Sequence, residues 1–236
     1  MYFINWQRTV TVESRQGEQV VIKRTKNTAR FHEFLLASAF ALLSVFLCRP
    51  SRPPDLANVV DNEGAEMREF LARIGIPTPK LVFVSRELLI EEYVAGGDFM
   101  RWLICGKGDA APLSFEVGRL TGLMHKSGLV FNDNKAQNYL VGEGNKIVRT
   151  DLAFIKKTNS LFSRSMDVGS FLSSVIGHQQ YREIEERFFS GYKQETGLGF
   201  PYLSIIIRNI LALGISSDIM DAAKNMLNSS GHLLSV

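Results

Sequence analysis

Alternation of apolar and polar residues marks the first part of the chain. The segments TVTVE and QVVIK, residues 9–13 and 19–23, both alternate, and a turn containing Gly17 separates them. Alternation around a glycine turn predicts a β-hairpin. A second pair of strands is predicted at 80–84 and 87–94. The pattern therefore predicts a small antiparallel sheet.

Helical spacing appears between the two strand pairs and dominates after residue 98. In NVVDNEGAEMREFLARI, residues 58–74, apolar positions recur every three or four residues, and prolines at 77 and 79 end the pattern. Further helices are predicted at 113–126, 167–176, 179–196, 201–213 and 216–227, with short strands near 129–131, 139–141 and 147–150. The chain is therefore predicted to be α+β and bilobal, with a sheet-rich lobe at 1–94, a helical lobe at 95–236 and a joint at 91–97.

One segment is apolar on every side. FLLASAFALLSVFLC, residues 34–48, forms most of an inserted helix at about 31–48 and is flanked by arginine and lysine residues. Its fifteen residues fall short of the roughly 20 that cross a bilayer. Two interpretations stay open: a helix buried in the protein core, or a helix lying in a membrane interface among anionic headgroups.

Composition narrows the class of protein. The chain has 236 residues, of which 45% are hydrophobic and 22% charged, as in folded globular proteins. A formal charge of +3 does not indicate a nucleic-acid partner, and none is expected. Cys48 and Cys105 lack the spacing of a metal site or a disulfide framework, which favours a reducing, cytoplasmic setting.

Candidate chemistry is concentrated in GLVFNDNKAQNYLV and IVRTDLAF, within residues 128–154. Asp133 and Asn138 stand five apart after a short strand, and Asp151 follows a second strand. Phosphoryl transfer from ATP needs a carboxylate to accept the proton of the attacking hydroxyl. It also needs an amide oxygen and a second carboxylate to hold Mg²⁺ on the phosphates. Upstream, the strand VVIK ends in Lys23, which is placed to bridge two phosphates.

A glutamate on the predicted helix at 58–74 is expected to pair with Lys23. We favour Glu63 because it shares a helical stripe with Met67 and Phe70, whereas Glu66 has a charged residue at the matching offset. An error of one turn in the helix phase would reverse that choice.

The segment EYVAG, residues 92–96, is expected to form a hinge. There the carbonyl of Glu92 and the N–H of Val94 would pair with adenine. A plain strand end followed by a glycine turn is the alternative.

Taken in order, these motifs resemble the protein-kinase-like fold over roughly residues 20–172. The matching segments are VVIK, EGAEMREFLARIGIPTP, EEYVAGGDF, GRLTGLMHKSGLVFNDNKAQNYLV, TDLAF and RSMDVGSFL. The chain is most similar to the small atypical branch, which contains lipopolysaccharide-core sugar kinases, RIO kinases and the kinase of the tRNA-modifying KEOPS assembly. The resemblance implies ATP and Mg²⁺ as cofactors.

The resemblance also implies residue roles. Asp133 would be the catalytic base, Asn138 and Asp151 the metal ligands, Asp167 a brace for the catalytic loop, and His125 a structural residue.

The chain departs from the family pattern at three places. Phe131 and Asn132 replace the usual residues before Asp133, TDLAF replaces D-F-G, and no glycine-rich loop is present. Phosphate cover would then come from the turn at 5–8 or be missing.

The acceptor is expected to be unusual because only fifteen residues separate Asp151 from Asp167. Lys156, Lys157 and Arg164 in this segment favour an anionic acceptor. The sequence therefore predicts a kinase of a sugar hydroxyl in lipopolysaccharide core, with peripheral contact at the inner membrane through 31–48. The alternatives are an atypical Ser/Thr protein kinase with a protein acceptor and a nucleotide-binding pseudokinase.

Overall fold

The computed structural model describes residues 8–15, 17–54, 56–199, 201 and 203–213. Within them, a small antiparallel sheet precedes a larger helical part, which confirms the predicted α+β architecture. Two expectations fall wholly or largely outside the described residues: the turn at 5–8, of which only Arg8 is described, and the helix at 216–227. The division into lobes at residues 94 and 95 stays a prediction.

The sheet places three charged side chains on one face. It consists of β1 Arg8–Arg15, β2 Glu18–Thr25, β3 Leu81–Val84 and β4 Leu88–Glu92, in the order β1-β2-β4-β3. Arg8 lies opposite Thr25, and Val21 lies opposite Glu91. Cross-strand partners share a face of the sheet, and so do residues two apart on a strand. Arg8, Lys23 and Glu91 therefore point to the same side.

The apolar insertion forms a helix, α1, Ala29–Phe46, with two unlike faces. On the inner face, Phe40 lies edge-on to Phe162 at 5.1 Å between ring centroids. Leu43 and Leu47 pack against the same small cluster of buried residues. The opposite face is exposed, so neither expected environment alone describes this helix. Among the residues with described structure, no helix combines the length and apolar character that a membrane span requires.

The helix predicted at 58–74 is broken. It forms α2, Val59–Glu63, and α3, Ala65–Arg73, with Gly64 extended between them at φ −73° and ψ 174°. A Cβ atom at Gly64 would lie 3.1 Å from the carbonyl oxygen of Asp61. The prediction of a single helix was wrong, because apolar residues continue at helical spacing across Gly64 and so do not indicate the break.

The helical part has five helices and four short strands among the described residues. The helices are α4 Phe99–Ile104, α5 Ala110–Lys126, α6 Leu161–Val175, α7 Tyr181–Thr196 and α8 Ser204–Leu213; the strands are β5 Leu129–Val130, β6 Tyr139–Val141, β7 Ile147–Arg149 and β8 Lys156–Lys157. Four of the five predicted helices thus correspond to observed ones. The predicted helix at 167–176 begins six residues earlier, and α4 and β8 were not anticipated.

Side-chain caps explain where three of these helices begin. Asp98 accepts a hydrogen bond from the N–H of Arg101, Asp109 from Ala111, and Ser160 from Ser163. Each cap satisfies a backbone donor that lacks a partner in the first turn. The early start of α6 therefore follows from Ser160.

Helices α5 and α7 approach each other closely at two glycines, Gly118 and Gly191. A Cβ atom at Gly191 would overlap the carbonyl oxygen of Phe115 and lie 2.9 Å from the backbone N of Arg119. We expect Gly191→Ala to lower the free energy of unfolding by about 1–3 kcal/mol, because α7 must move away from α5. Urea unfolding measures this change.

The matched control for Gly191→Ala is Gly177→Ala, where an added Cβ meets nothing within 4 Å. Its expected change is within about 0.5 kcal/mol. If Gly191→Ala instead stabilised the protein, as the helix propensity of alanine favours, the close approach of α5 and α7 would be refuted.

Candidate active site

A buried carboxylate fixes the loop that follows β5. The two oxygens of Asp167 accept hydrogen bonds from the backbone N–H groups of Phe131 and Asn132, both at 2.7 Å. His125 Nε2 lies 3.1 Å from the same carboxylate, and its Nδ1 lies 2.9 Å from the hydroxyl of Tyr192. These contacts confirm the predicted brace at Asp167. They place His125 behind that brace, and its structural role stays a prediction.

Phe131 is accommodated by packing, and it supports a buried cation. Its ring meets Tyr139 edge-on, and the guanidinium of Arg149 lies 4.4 Å from the Phe131 centroid. Arg149 also donates to the backbone carbonyls of Asp133 at 2.9 Å and Asp151 at 3.3 Å. Sequence reasoning missed Arg149, although it stands two residues before Asp151 in the predicted strand.

Asp133 and Asn138 are in direct contact. The side-chain amide of Asn138 donates to the Asp133 carboxylate at 3.1 Å and to its backbone carbonyl at 2.7 Å. Lys135 Nζ lies 2.6 Å from the other carboxylate oxygen. Burial alone would raise the pKa of the Asp133 carboxyl, but Lys135, Arg149 and Asn138 outweigh burial and lower it. Asp133 is therefore ionised at neutral pH.

Asp151 is brought to the same place by its neighbour. The N–H of Thr150 donates to the carbonyl of Asn138 at 3.0 Å, and Asp151 adopts a left-handed backbone with φ 59°. Its side chain retains 24% exposure. The three residues that the spacing singled out, at 133, 138 and 151, are thus assembled in one site.

Lys23 reaches this site from the sheet, but its partner differs from the expected one. Its ammonium lies 2.6 Å from Glu91 and donates to the hydroxyl of Thr150 at 2.7 Å. The Thr150 hydroxyl in turn donates to Glu91 at 2.8 Å. The predicted ion pair between Lys23 and Glu63 was wrong, because Glu91 is a diagonal neighbour of Lys23 on the same sheet face.

Glu63 is buried at the site, as favoured over the exposed Glu66, but it binds other groups. Its carboxylate lies 3.1 Å from Arg8 and 3.2 Å from Arg68, and accepts the N–H of Leu152 at 3.2 Å. Burial raises the pKa of the Glu63 carboxyl, and Arg8 opposes that shift only in part.

Two arginines complete a charge-balanced network, which consists of Arg8, Lys23 and Arg68 with Glu63, Glu91 and Asp151. Arg68 bridges both glutamates, at 3.2 Å from Glu63 and 3.0 Å from Glu91. Arg8 lies between Glu63 and Asp151, 3.8 Å from the latter. Arg8 was expected at the end of the turn at 5–8, the candidate phosphate cover. It instead begins β1, opposite Thr25 on the strand that carries Lys23.

The joint after β4 is held by backbone contacts. The N–H of Glu92 donates to the carbonyl of Lys80 at 2.9 Å, and that of Tyr93 donates to Gln19 at 3.3 Å. Within the described part of the chain, the N–H of Val94 has no hydrogen-bond partner. The pairing of Glu92 and Val94 with adenine stays a prediction.

A cleft of about 940 Å³ opens beside this site. Its wall includes Arg8 and Asp151, the start of α1 at Ala29 and Glu33, and the cations Arg24, Lys26 and Arg86. Of the cations expected near the acceptor, Lys156 instead donates to the backbone carbonyl of Arg52 at 2.6 Å. Lys156 therefore ties the connector after α1 to the segment that follows Asp151.

The protein side chains by themselves supply only part of the ligand shell of a divalent cation. Across the described residues, no group of three or more histidine, cysteine, aspartate or glutamate side chains is arranged to hold a metal. Asn138 directs its NH₂ group to Asp133, which leaves its amide oxygen as the ligand atom. An amide oxygen and the Asp151 carboxylate match the small number of protein ligands that Mg²⁺ takes beside phosphates.

A small antiparallel sheet followed by a helical part, with this site joining them, is consistent with a kinase-like fold. No protein-family model matches the chain. Curated relatives support a place in the protein-kinase-like superfamily at low identity.

Several of the relatives carry the name of a bifunctional protein. A "Probable bifunctional tRNA threonylcarbamoyladenosine biosynthesis protein" of Methanosarcina mazei is 32% identical over 122 residues, which are 51% of this chain and 21% of the relative. The protein of the same name from Methanocaldococcus jannaschii is 25% identical over 143 residues, or 58% of this chain and 26% of the relative. The matches thus span about a fifth to a quarter of the length of these proteins.

A third relative is shorter. A "Probable serine/threonine-protein kinase BUD32 homolog" of Archaeoglobus fulgidus is 23% identical over 126 residues, which are 53% of this chain and 61% of the relative. The relatives agree with the atypical kinase alternative, and none carries a name that refers to lipopolysaccharide.

Proposed function

We propose that this protein is an ATP- and Mg²⁺-dependent phosphotransferase of the atypical Ser/Thr kinase kind, acting on a protein hydroxyl. One observation carries the proposal: Asp133, Asn138 and Asp151 share a site that Lys23 reaches through Thr150. Phosphoryl transfer requires a carboxylate base, two oxygen ligands for Mg²⁺ and a cation that binds phosphate.

Each of these groups has a role that follows from its surroundings. Asp133, ionised and in contact with Asn138 and Lys135, orients the acceptor hydroxyl and takes its proton. Lys23 binds phosphate oxygens of ATP, and Glu91 positions its ammonium for this. The amide oxygen of Asn138 and the carboxylate of Asp151 would hold Mg²⁺, which neutralises charge on the phosphates.

Arg8 supplies a second cation in place of the missing glycine-rich loop. Its guanidinium lies 3.8 Å from Asp151, so it is near the phosphates that a metal at Asp151 would hold. Neighbouring Asp151 and Glu63 offset the cost of burying Arg8 and raise the pKa of its guanidinium, which keeps it charged. Arg8 thereby neutralises negative charge on the phosphates, a role that the backbone N–H groups of a glycine-rich loop would otherwise have.

The acceptor is proposed from the relatives rather than from the cleft. Their names refer to tRNA threonylcarbamoyladenosine biosynthesis and to a serine/threonine-protein kinase, which favours protein partners in a tRNA-modifying assembly. An anionic glycolipid acceptor in lipopolysaccharide core has no support among them. The expectation that no nucleic acid takes part stays a prediction.

A nucleotide-binding pseudokinase is a second candidate, and one observation favours it. Both carboxylate oxygens of Asp133 are engaged, one by Lys135 and one by Asn138. An acceptor hydroxyl must displace one of these contacts before its proton can be taken. A pseudokinase would bind ATP and transfer nothing.

The test is a transfer assay with the purified full chain, Mg²⁺ and ATP labelled at the γ-phosphate. Label on the chain itself or on a protein substrate supports the proposed function. Label on core oligosaccharide alone would favour the sugar kinase, and bound ATP without any transfer would favour the pseudokinase. Absence of both binding and transfer would refute all three functions.

Lys23→Met is expected to reduce the rate of label transfer by roughly 10²- to 10³-fold, because a preorganised cation near the transferred phosphate is lost. The matched control is Lys193→Met, an exposed lysine on α7, which is expected to keep the parent rate. Initial rates at saturating ATP give the comparison. Equal rates in the two variants would show that Lys23 has no role in phosphoryl transfer.

A further inference from the structure

Helix α1 carries an apolar stripe on the side away from the protein. Six large side chains are between 47% and 77% exposed, namely Phe31, Phe34, Leu35, Leu42, Val45 and Phe46. At 100° per residue, these positions fall within about 60° on either side of one line along the helix. They form the outer stripe of α1, about 22 Å long.

The outer stripe lies opposite the face that fixes α1 to the protein. Ala29, Phe40 and Ser44 are buried, and Leu43 and Leu47 pack against the cluster that contains Phe162 and Ile207. The helix is thus anchored by one face and presents the other. Soluble monomers rarely expose a contiguous apolar patch of this extent unless it is an interaction surface.

Charge around the outer stripe is positive. The exposed arginines Arg49 and Arg52 follow the end of α1. No carboxylate lies among the stripe positions. Glu33, the one acidic residue of α1, lines the cleft beside Asp151 instead. An apolar stripe with arginines at one end is complementary to an anionic lipid surface, where apolar side chains enter the interface and arginines meet phosphates.

We propose that the outer stripe of α1 docks on an anionic membrane surface, with the helix parallel to the bilayer plane. Phe31, Phe34 and Phe46 supply aromatic rings suited to the headgroup boundary. The connector after α1 is held to the body of the protein, because Ser51 bonds to Ser160 and Ser163. The stripe is therefore presented by a fixed helix, and the proposal is independent of the proposed kinase activity.

The test is flotation of the full chain with vesicles. Vesicles of phosphatidylcholine mixed with phosphatidylglycerol are expected to bind the protein, and added salt is expected to weaken that binding. The variant Leu42→Glu with Phe46→Glu is expected to lower partitioning by at least about tenfold, because charges enter the apolar face. Arg49→Gln with Arg52→Gln is expected to weaken binding to the anionic vesicles and reduce its salt dependence.

A matched control is Ile104→Glu, which places the same charge on an exposed apolar side chain of α4. It is expected to float as the parent does. Circular dichroism and ATP binding of each variant show that the fold and the cleft are unchanged, so failure of membrane binding is separable from failure of the kinase proposal.

Two results would overturn the membrane proposal. In one, the parent chain does not float with the anionic vesicles, or the stripe variant floats as well as the parent. In the other, light scattering shows a dimer that Leu42→Glu with Phe46→Glu converts to a monomer while vesicles bind nothing. The stripe would then be covered by a second copy of the chain.

Discussion

Asp133→Ala is expected to reduce the rate of phosphoryl transfer by about two to four orders of magnitude, while ATP stays bound with nearly the parent affinity. The carboxylate is proposed to act on the acceptor hydroxyl, so its loss affects the proton transfer and not the nucleotide contacts. Its lowered pKa, set by Lys135, Arg149 and Asn138 against burial, means that the base is already ionised at neutral pH.

Transfer and binding must be measured separately for this prediction. Single-turnover label transfer reports the chemical step, and calorimetry with ATP and Mg²⁺ reports affinity. Glu66→Ala, which removes an exposed carboxylate from α3, is the control and is expected to match the parent in both. Asp151→Ala is expected to lose the Mg²⁺-dependent part of ATP binding as well as transfer.

The outcomes discriminate between the candidate functions. If Asp133→Ala transferred label at the parent rate, the base would be elsewhere and the site assignment would fail. If the parent bound ATP without transferring it, and Asp133→Ala bound it equally well, the pseudokinase would be the better description. If Asp133→Ala lost ATP binding while the parent protein kept it, this carboxylate would belong to the nucleotide site.

The sheet and the loop that carries Asp133 were predictable because local patterns determine them. Alternation around Gly17 gives the hairpin, and the spacing of Asp133, Asn138 and Asp151 gives the loop and the following strand. The loop brace at Asp167 also followed from a motif. These features depend on residues close in sequence or on a fixed order of elements.

The partner of Lys23 was not predictable in the same way, since it depends on sheet register. Glu91 lies opposite Val21, two residues from Lys23, which is a relation between strands about 70 residues apart in the chain. Glu63 was chosen from a continuous helical phase, but Gly64 interrupts that phase. The choice of Glu63 as the buried glutamate was correct, but the continuous helical stripe on which that choice was based does not exist.

The two faces of α1 show a second limit. An all-round apolar segment predicts a helix, but it does not say which side packs against the protein. That side is set by contacts of Phe40, Leu43 and Leu47 with α6 and α8, more than a hundred residues later. The remaining apolar side is exposed, which only the tertiary structure reveals.

Glu91→Ala is expected to lower the free energy of unfolding by about 3–5 kcal/mol, because it leaves Lys23 and Arg68 with an uncompensated buried charge. Glu91 is almost fully buried and accepts contacts from both cations and from Thr150. The control is Glu87→Ala, an exposed residue of the preceding turn, with an expected change within about 0.5 kcal/mol. Urea unfolding at neutral pH measures both.

The pH dependence of stability separates Glu91 from Glu63. Burial would raise the pKa of the Glu91 carboxyl, but Lys23 and Arg68 outweigh it and lower the pKa below its ordinary value of 4.5. The stabilising contribution of Glu91 is therefore present above about pH 4.5 and is lost as the pH falls through its folded-state pKa. Glu91→Gln is expected to remove this loss of stability on the acid side.

Glu63→Gln is the matched comparison because its expected effect has the opposite sign. Burial raises the pKa of Glu63 above 4.5, so the folded protein holds this proton more tightly than the unfolded chain. The contribution of Glu63 therefore weakens as the pH rises from 4.5 through its folded-state pKa, and Glu63→Gln should remove that decline. If the two variants changed the pH profile in the same direction, the opposite pKa shifts of Glu91 and Glu63 would be refuted. If Glu91→Ala were no more destabilising than Glu87→Ala, Glu91 would not be the acid that holds Lys23.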